Sequence, residues 1–141
     1  MIEFTTYEKR RKYPHMMPRD VEIWERFIEA NPDIFDVVSY DVPVGDGAEF
    51  DTTVHVGVAS DMRKLYQRKI DVVGRKHGMF FVVEVKPRAS TAAIGQVKGY
   101  ITLFKRDYTI NEPVIPMIVT DQMLPEMEFL AKEERVQLFI A

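Results

Sequence analysis

One predicted strand constrains the fold more than any other part of the sequence. Met79 to Val85 reads MFFVVEV, and its apolar side chains fall on both faces because successive strand residues alternate between the faces. A strand with two apolar faces belongs in the middle of a sheet that is covered on both sides. Ile70 to Val73 predicts a second strand, and residues 74–78 form a hairpin-sized loop between the two. We therefore predict an antiparallel pair at the centre of a covered sheet.

The elements around this pair predict an α/β sandwich with a mixed sheet. A helix begins at Pro18, repeats apolar residues at helical spacing, and ends at Asn31-Pro32. Further helices are predicted from Thr91 to about Phe104, where Ser90 is the N-cap, and from Pro125 to Glu134. The remaining predicted strands are Val37–Val42, Phe50–Val58, Val114–Thr120 and Val136–Ile140. This alternation of strands and helices is typical of a mixed sheet flanked by helices.

Length and composition favour one intracellular domain. The 141 residues fit a single domain, and residues 1–17, with the run Lys9-Arg10-Arg11-Lys12, are predicted to form a mobile or loosely docked basic arm. No stretch approaches the roughly 20 apolar residues of a membrane span, and the N-terminus lacks the apolar core of a signal peptide. Cysteine is absent, which excludes disulfides and thiolate sites. We therefore expect a cytoplasmic protein that does not bind a membrane.

The charge of the chain is unevenly distributed. The net charge is −3, yet the stretch from Asp61 to Arg106 contains eleven Lys and Arg residues against three Asp and Glu residues. This stretch could present a positive face to a polyanion, while the acidic remainder keeps the protein soluble. The alternative is an ordinary solvated surface. Two of the three acidic residues in the basic stretch, Asp71 and Glu84, favour the first interpretation, because they also fall on the two central strands.

Three charged residues at the end of the central strands form a candidate catalytic group. Glu84 and Lys86 project to the same side of one strand, and Asp71 can meet Glu84 across the hairpin. Charges at a buried strand end are costly unless something uses them, and Mg²⁺ is a natural partner for two carboxylates. The alternative is a structural ion pair. A Glu-x-Lys triplet alone does not decide between the two.

Further motifs show a resemblance to a known superfamily. Gln96 and Tyr100 share one face of the helix that follows, and Lys98 lies on another side. With Asp71 in IDVV and Glu84-Val85-Lys86 in VVEVK, the segment GQVKGY resembles the PD-(D/E)xK nuclease superfamily. FIEANPDIF and LAKEERVQLFIA extend the resemblance, which is closest to the NucS-like and RecB-like catalytic domains. It covers nearly all of the chain from about Arg19. One departure is Ile70, which stands where many members have proline.

The resemblance implies a fold and a set of site residues. The fold would be restriction-endonuclease-like, an αβββαβ core with an extra helix and strand. Asp71, Glu84 and the carbonyl of Val85 would bind Mg²⁺ or Mn²⁺, Lys86 would assist catalysis, and Gln96 would position a phosphate or water. A supporting acid is expected on the first helix, where we favour Glu22 over Glu25. The residues expected to contact nucleic acid are Tyr100, Lys98, Arg88, Arg68 and Lys69.

We therefore predict a Mg²⁺-dependent deoxyribonuclease, acting as an endonuclease on duplex, branched or flapped DNA. The alternative is a nucleic-acid-binding or assembly protein that kept the fold and lost the reaction. The intact set of Asp71, Glu84 and Lys86 favours the enzyme, because a site that has lost its activity gains nothing from charges that are costly to bury. No RNA-specific module is visible. Small nucleases of this fold often act as dimers, so a homodimer on DNA is expected.

Overall fold

A computed structural model describes residues 2–47 and 67–141 of the chain. The strand predicted at Phe50–Val58 lies outside these residues. Within the two described ranges, no helix has the length and apolar character needed to cross a membrane.

The described residues form one mixed sheet with helices on both faces, as predicted. The strands follow one another in the order β1 to β6, antiparallel from β1 to β4 and parallel from β4 to β6. The strands are β1 (Thr5–Thr6), β2 (Val37–Val44), β3 (Arg68–Lys76), β4 (Met79–Val85), β5 (Val114–Thr120) and β6 (Gln137–Ile140). The helices are α1 (Pro18–Ala30), α2 (Thr91–Asp107) and α3 (Met127–Glu133).

Strand β4 is central, which confirms the prediction from its two apolar faces. On one face, Phe81 and Val83 belong to an apolar cluster with Trp24 of α1. On the other face, Val82 belongs to a cluster that includes Val97 of α2 and residues of α3. This alternation makes β4 the common wall of two cores, so its C-terminal end is held from both sides.

The β3–β4 hairpin is tighter than the sequence predicted. The turn is limited to His77 and Gly78, whose φ angles of 50° and 73° are those of a two-residue hairpin turn. Gly74, which we expected to begin the loop, lies within β3 opposite Phe81. A Cβ atom there would lie 2.5 Å from Cδ1 of Phe35, so this glycine is required by close packing against an aromatic ring.

The described part of the N-terminal segment, which we predicted to be a mobile or loosely docked arm, packs onto the sheet. Tyr7 and Tyr13 are buried. The Tyr7 ring lies 5.3 Å from that of Phe35, and the Tyr13 ring lies 5.4 Å from that of Tyr40. Short β1 adds two backbone pairs to β2. The burial of these two tyrosine rings holds the segment in position.

The helix boundaries agree closely with the sequence. Helix α1 begins at Pro18 and ends at Ala30, immediately before Asn31-Pro32. Helix α2 begins at Thr91 as predicted but continues beyond Phe104 to Asp107, and Ser90 forms no side-chain capping hydrogen bond. The start of α2 follows the end of β4 by only a few residues. This short connection brings Gln96 and Tyr100 over the end of the central strand.

Candidate active site

Asp71 and Glu84 lie side by side at the end of the β3–β4 hairpin farthest from its turn. The pairing of Val72 with Val83 brings the next residues, Asp71 and Glu84, opposite each other. Glu84 is only 7% exposed and is the one charged residue among the buried positions of the described chain. Asp71 Oδ2 accepts a hydrogen bond of 2.9 Å from the backbone N–H of Val85. The buried Oε2 of Glu84 has no hydrogen-bond partner among the described residues.

Burial strongly changes the acidity of this pair. It raises the pKa of Glu84 to about 9; the charge of Asp71 adds to this rise and Lys86 opposes it. Burial also raises the pKa of Asp71 to about 6, although the hydrogen bond from the Val85 N–H opposes the rise. Two carboxylates in one buried place are unfavourable without a compensating positive charge. The pair therefore has the electrostatics of a site for a proton or a cation.

Helix α1 contributes Asp20 to this environment rather than Glu22. The negative charge of Asp20 raises the pKa of both Asp71 and Glu84. At 100° per residue, Asp20 is in phase with the buried stripe of Trp24 and its neighbours, whereas Glu22 is exposed on the opposite side. The helical phase would have identified Asp20 from the sequence, and we move the proposed supporting role from Glu22 to Asp20.

Glu25, the other acid considered on α1, has a different environment. Its Oε2 atom accepts a hydrogen bond of 3.3 Å from the hydroxyl of Tyr13 in the N-terminal segment. This contact ties Glu25 to the docked segment.

Lys86 follows β4 and is exposed near the carboxylates. Its backbone N–H donates a 3.0 Å hydrogen bond to the carbonyl of Val119, which continues the pairing with β5. Its positive charge lowers the pKa of Glu84 and of Asp20, whereas burial raises the pKa of both. The ammonium group is therefore close to carboxylates of both β4 and α1.

Gln96 and Tyr100 of α2 lie over the same end of the sheet. The Nε2 atom of Gln96 donates a 2.9 Å hydrogen bond to the Tyr100 hydroxyl. Burial raises the pKa of Tyr100, and the charges of Glu84 and Asp71 raise it further, whereas Arg68 lowers it. The structure thus brings Gln96, Tyr100 and Arg68 together around the carboxylate pair.

The other basic candidates are spread around this centre. Lys98 forms an ion pair with Glu134, on the side of α2 near α3. Lys69 lies close enough to Asp41 for its charge to lower the pKa of that carboxyl, which burial raises. Arg88 is exposed, and its backbone N–H donates to Asp121. Within residues 2–47 and 67–141, Lys98 is thus the one member of this set that forms an ion pair.

Asp41 is a neighbour of the site that the sequence analysis did not identify. The pairings of β2 with β3 on either side bring Asp41 opposite Asp71. Its φ angle of 52° is left-handed, and its charge raises the pKa of Asp71. In sequence Asp41 is one polar residue in a strand, and only the strand register reveals its proximity.

The residues present fit a divalent cation. No group of three or more His, Cys, Asp or Glu side chains close enough to hold a metal occurs in residues 2–47 and 67–141. Mg²⁺ commonly uses only one or two carboxylates, with carbonyl, water or phosphate oxygens completing its shell. Asp71, Glu84 and the Val85 carbonyl supply that kind of set. The unpartnered Oε2 of Glu84 is the observation that favours a cation here.

Comparisons with known proteins agree with the fold and with the sequence resemblance. No curated protein matches the chain. The solved structure of EndoMS in complex with double-stranded DNA is 18% identical with a TM-score of 0.50. A repair endonuclease from Pyrococcus abyssi is 19% identical with a TM-score of 0.50. In both cases the alignment covers 94% of this chain and 49% of the other. The chain thus spans about half the length of these structures, and the likeness shows a shared restriction-endonuclease-like fold.

The comparison of family sequences is more specific. The family described as the endonuclease NucS C-terminal domain matches residues 62–139. This range contains Asp71, Glu84, Lys86, Gln96 and Tyr100. The match confirms the resemblance drawn from these motifs. Because it covers more than half of the 141 residues, the chain belongs to the family of endonuclease NucS C-terminal domains.

Proposed function

We propose that this chain is a Mg²⁺- or Mn²⁺-dependent deoxyribonuclease that cuts internal phosphodiester bonds of duplex, branched or flapped DNA. The observation that carries the proposal is the buried pair Asp71–Glu84, which has an unpartnered carboxylate oxygen and a lysine close by. The two carboxyls are close enough to share a proton, and a cation could take the place of that proton. Membership of the NucS family supplies the reaction class.

In this proposal Asp71, Glu84 and the Val85 carbonyl hold the metal, with Asp20 as the supporting acid of α1. When bound, the metal supplies positive charge that polarises a phosphate and increases the acidity of a coordinated water. The hydrogen bond from the Val85 N–H to Asp71 Oδ2 restrains that carboxylate beside Glu84. Burial at the end of β4 restricts the Glu84 side chain, and restriction of this kind preorganises a ligand for such chemistry.

Lys86 and Gln96 are assigned to the phosphate and the attacking water. The exposed ammonium of Lys86 can donate hydrogen bonds to a phosphate oxygen and stabilise the charge that develops there. The amide of Gln96 is oriented by its 2.9 Å donation to the Tyr100 hydroxyl. This bond leaves the Gln96 carbonyl oxygen facing away from Tyr100, where it can accept a hydrogen bond from a water.

Double-stranded DNA is the first substrate to test, because the solved structure of EndoMS contains it. In this proposal Arg68, Lys69 and Arg88 contact phosphates near the cut. Arg68 is close to Tyr100 and Lys69 is close to Asp41, which supports the assignment of these two. Lys98 is the weakest member of the predicted set, since its ammonium is engaged with Glu134. Binding through phosphate contacts should weaken steeply with salt. A homodimer, which would bring two sites to the two strands of a duplex, is part of this proposal.

The test is cleavage of labelled single-stranded, duplex, flapped and four-way DNA with Mg²⁺, Mn²⁺ or EDTA. We expect cutting with either metal and none with EDTA, and the preferred substrate will identify the natural structure. Lys105→Ala, an exposed lysine near the far end of α2, is the matched control for substitutions of Lys86. The alternative, a DNA-binding or assembly protein, predicts that the wild type binds these substrates and leaves all of them intact.

A further inference from the structure

A carboxylate outside the proposed metal site links two of the segments that form it. Asp121 follows β5, and its Oδ1 accepts a 2.8 Å hydrogen bond from the backbone N–H of Arg88. Its Oδ2 accepts a 3.0 Å hydrogen bond from Nη2 of Arg19. Arg88 lies two residues after Lys86, and Arg19 immediately precedes Asp20. One side chain therefore joins the loop after β4 to the start of α1.

The loop that Asp121 holds has an unfavourable backbone conformation. Arg88 has a φ angle of 46°, in the left-handed region that residues with a side chain rarely adopt. Neighbouring bonds anchor the loop on both sides: Lys86 N–H donates to the Val119 carbonyl, and Ala89 N–H donates to Thr120 Oγ1, both at 3.0 Å. The bond from Arg88 to Asp121 lies between these two. Such a conformation persists only where its surroundings hold it.

Asp121 is among the least exposed carboxylates in the ion pairs of the described residues. Its side chain is 16% exposed, compared with 21% for Asp107, 63% for Asp36 and 86% for Asp46. The Arg88 N–H and the Arg19 guanidinium hold the pKa of Asp121 below its ordinary value. The group is therefore ionised at neutral pH and has both oxygens engaged. This is the environment of a fixed anchor, in contrast to a freely solvated surface charge.

We propose that Asp121 is a positioning residue of the nuclease site. It holds the left-handed loop at Arg88, and so fixes Lys86 and the start of α2 relative to the Asp20 end of α1. It acts through these residues and does not touch the reacting phosphate. This role rests on the proposed function. Loss of such outer partners typically costs about 10- to 100-fold in activity, and a shift of about 1 Å in a reacting group costs a similar factor.

The test compares Asp121→Ala, Asp121→Asn and Asp121→Glu with wild type in single-turnover cleavage of duplex DNA. DNA affinity is measured separately in EDTA. Asparagine keeps an oxygen that accepts from the Arg88 N–H but loses the charge that pairs with Arg19. Glutamate keeps the charge but displaces the acceptor by one methylene group. Asp36→Ala is the matched control, because it breaks a 3.1 Å ion pair with Lys76 near the hairpin turn.

We expect Asp121→Ala to lower the cleavage rate constant about 10- to 100-fold, while DNA affinity stays within about threefold. Asp121→Asn should recover most of the rate, and Asp121→Glu should recover less. Asp36→Ala should cut like wild type. The glutamate variant tests positioning even if the alanine variant folds poorly, and circular dichroism checks folding.

Two results would overturn this role. One is an Asp121→Ala variant that cuts as fast as wild type. The other is a folded asparagine variant that is as impaired as the alanine variant. If the wild type cuts DNA and either result is found, only the positioning role of Asp121 is rejected. If the wild type cuts no DNA, both the nuclease proposal and the positioning role are rejected.

Discussion

Replacing Glu84 by glutamine should stabilise the metal-free protein while it abolishes cleavage. Glu84 is almost completely buried beside Asp71, and one of its oxygens has no partner among the described residues. Glutamine has nearly the same shape and carries no charge. It removes the carboxylate that is costly to bury without a cation, and it removes the proposed metal ligand at the same time. Opposite effects on stability and function are typical of residues retained for chemistry.

The expected gain in the free energy of unfolding follows from the raised pKa of Glu84. The ordinary pKa of Glu84 is 4.5, and burial raises it to about 9 in the folded protein. A raised folded pKa means that stability is fully present below the unfolded value and is lost as the pH rises toward the folded one. At pH 7.5, three units above the ordinary value, the cost to the folded state is at most about 4 kcal/mol. We expect Glu84→Gln to gain about 2 to 4 kcal/mol at pH 7.5 and under about 1 kcal/mol at pH 5.

The assay is urea unfolding followed by circular dichroism in EDTA, at pH 5 and pH 7.5. Glu8→Gln, which changes an exposed glutamate of the N-terminal segment, is the control and should be neutral at both pH values. A glutamine variant that is no more stable than wild type at pH 7.5, or that gains equally at pH 5, would refute the reasoning. Either result would mean that the buried charge is not the source of the cost.

Three further predictions concern the metal, the helix acid and the hairpin. The apparent Mg²⁺ affinity should rise up to about tenfold per pH unit between pH 6.5 and 8.5, because Mg²⁺ must displace the proton that the raised pKa keeps on Glu84. Calorimetry measures this affinity, and a constant value across the range would contradict the prediction. Asp20→Asn should weaken Mg²⁺ binding, because the charge of Asp20 acts on Asp71 and Glu84, whereas Glu22→Gln should leave Mg²⁺ binding unchanged. Calorimetry compares the two variants, and a greater loss of affinity in Glu22→Gln would return the role of supporting acid to Glu22. Gly74→Ala should lower the free energy of unfolding by about 1 to 3 kcal/mol, because the new Cβ would lie 2.5 Å from Cδ1 of Phe35. Urea unfolding measures this loss, and an unchanged free energy of unfolding would show that the Phe35 ring can move aside freely.

The central architecture could be predicted because its signals are local. The apolar faces of β4 and the repeat in α1 are read directly from neighbouring residues, and both elements form where they were expected. The motifs from Asp71 to Tyr100 also sufficed to identify the family. The roles assigned to individual site residues stay predictions, because they concern chemistry that no fold comparison tests.

The missed features depend on contacts between distant parts of the chain. Gly74 resembles a turn residue in sequence, and its close contact with Phe35, almost forty residues earlier, becomes visible only in the folded chain. Asp41 approaches Asp71 only through the register of β2 on β3. The omission of Asp20, when we considered only Glu22 and Glu25 on the first helix, has a different cause. The phase of the helix was available from the sequence, and it points to Asp20.

The central claim is that the buried carboxylates and the nearby lysine cut DNA. The most direct measurement is cleavage of duplex DNA with Mg²⁺ by wild type and Lys86→Ala, with DNA binding measured for both in EDTA. We predict that wild type cuts, that Lys86→Ala loses at least about 100-fold in rate, and that both bind DNA with similar affinity. Equal rates for the two proteins, or a wild type that binds duplex DNA without cutting it, would contradict the account.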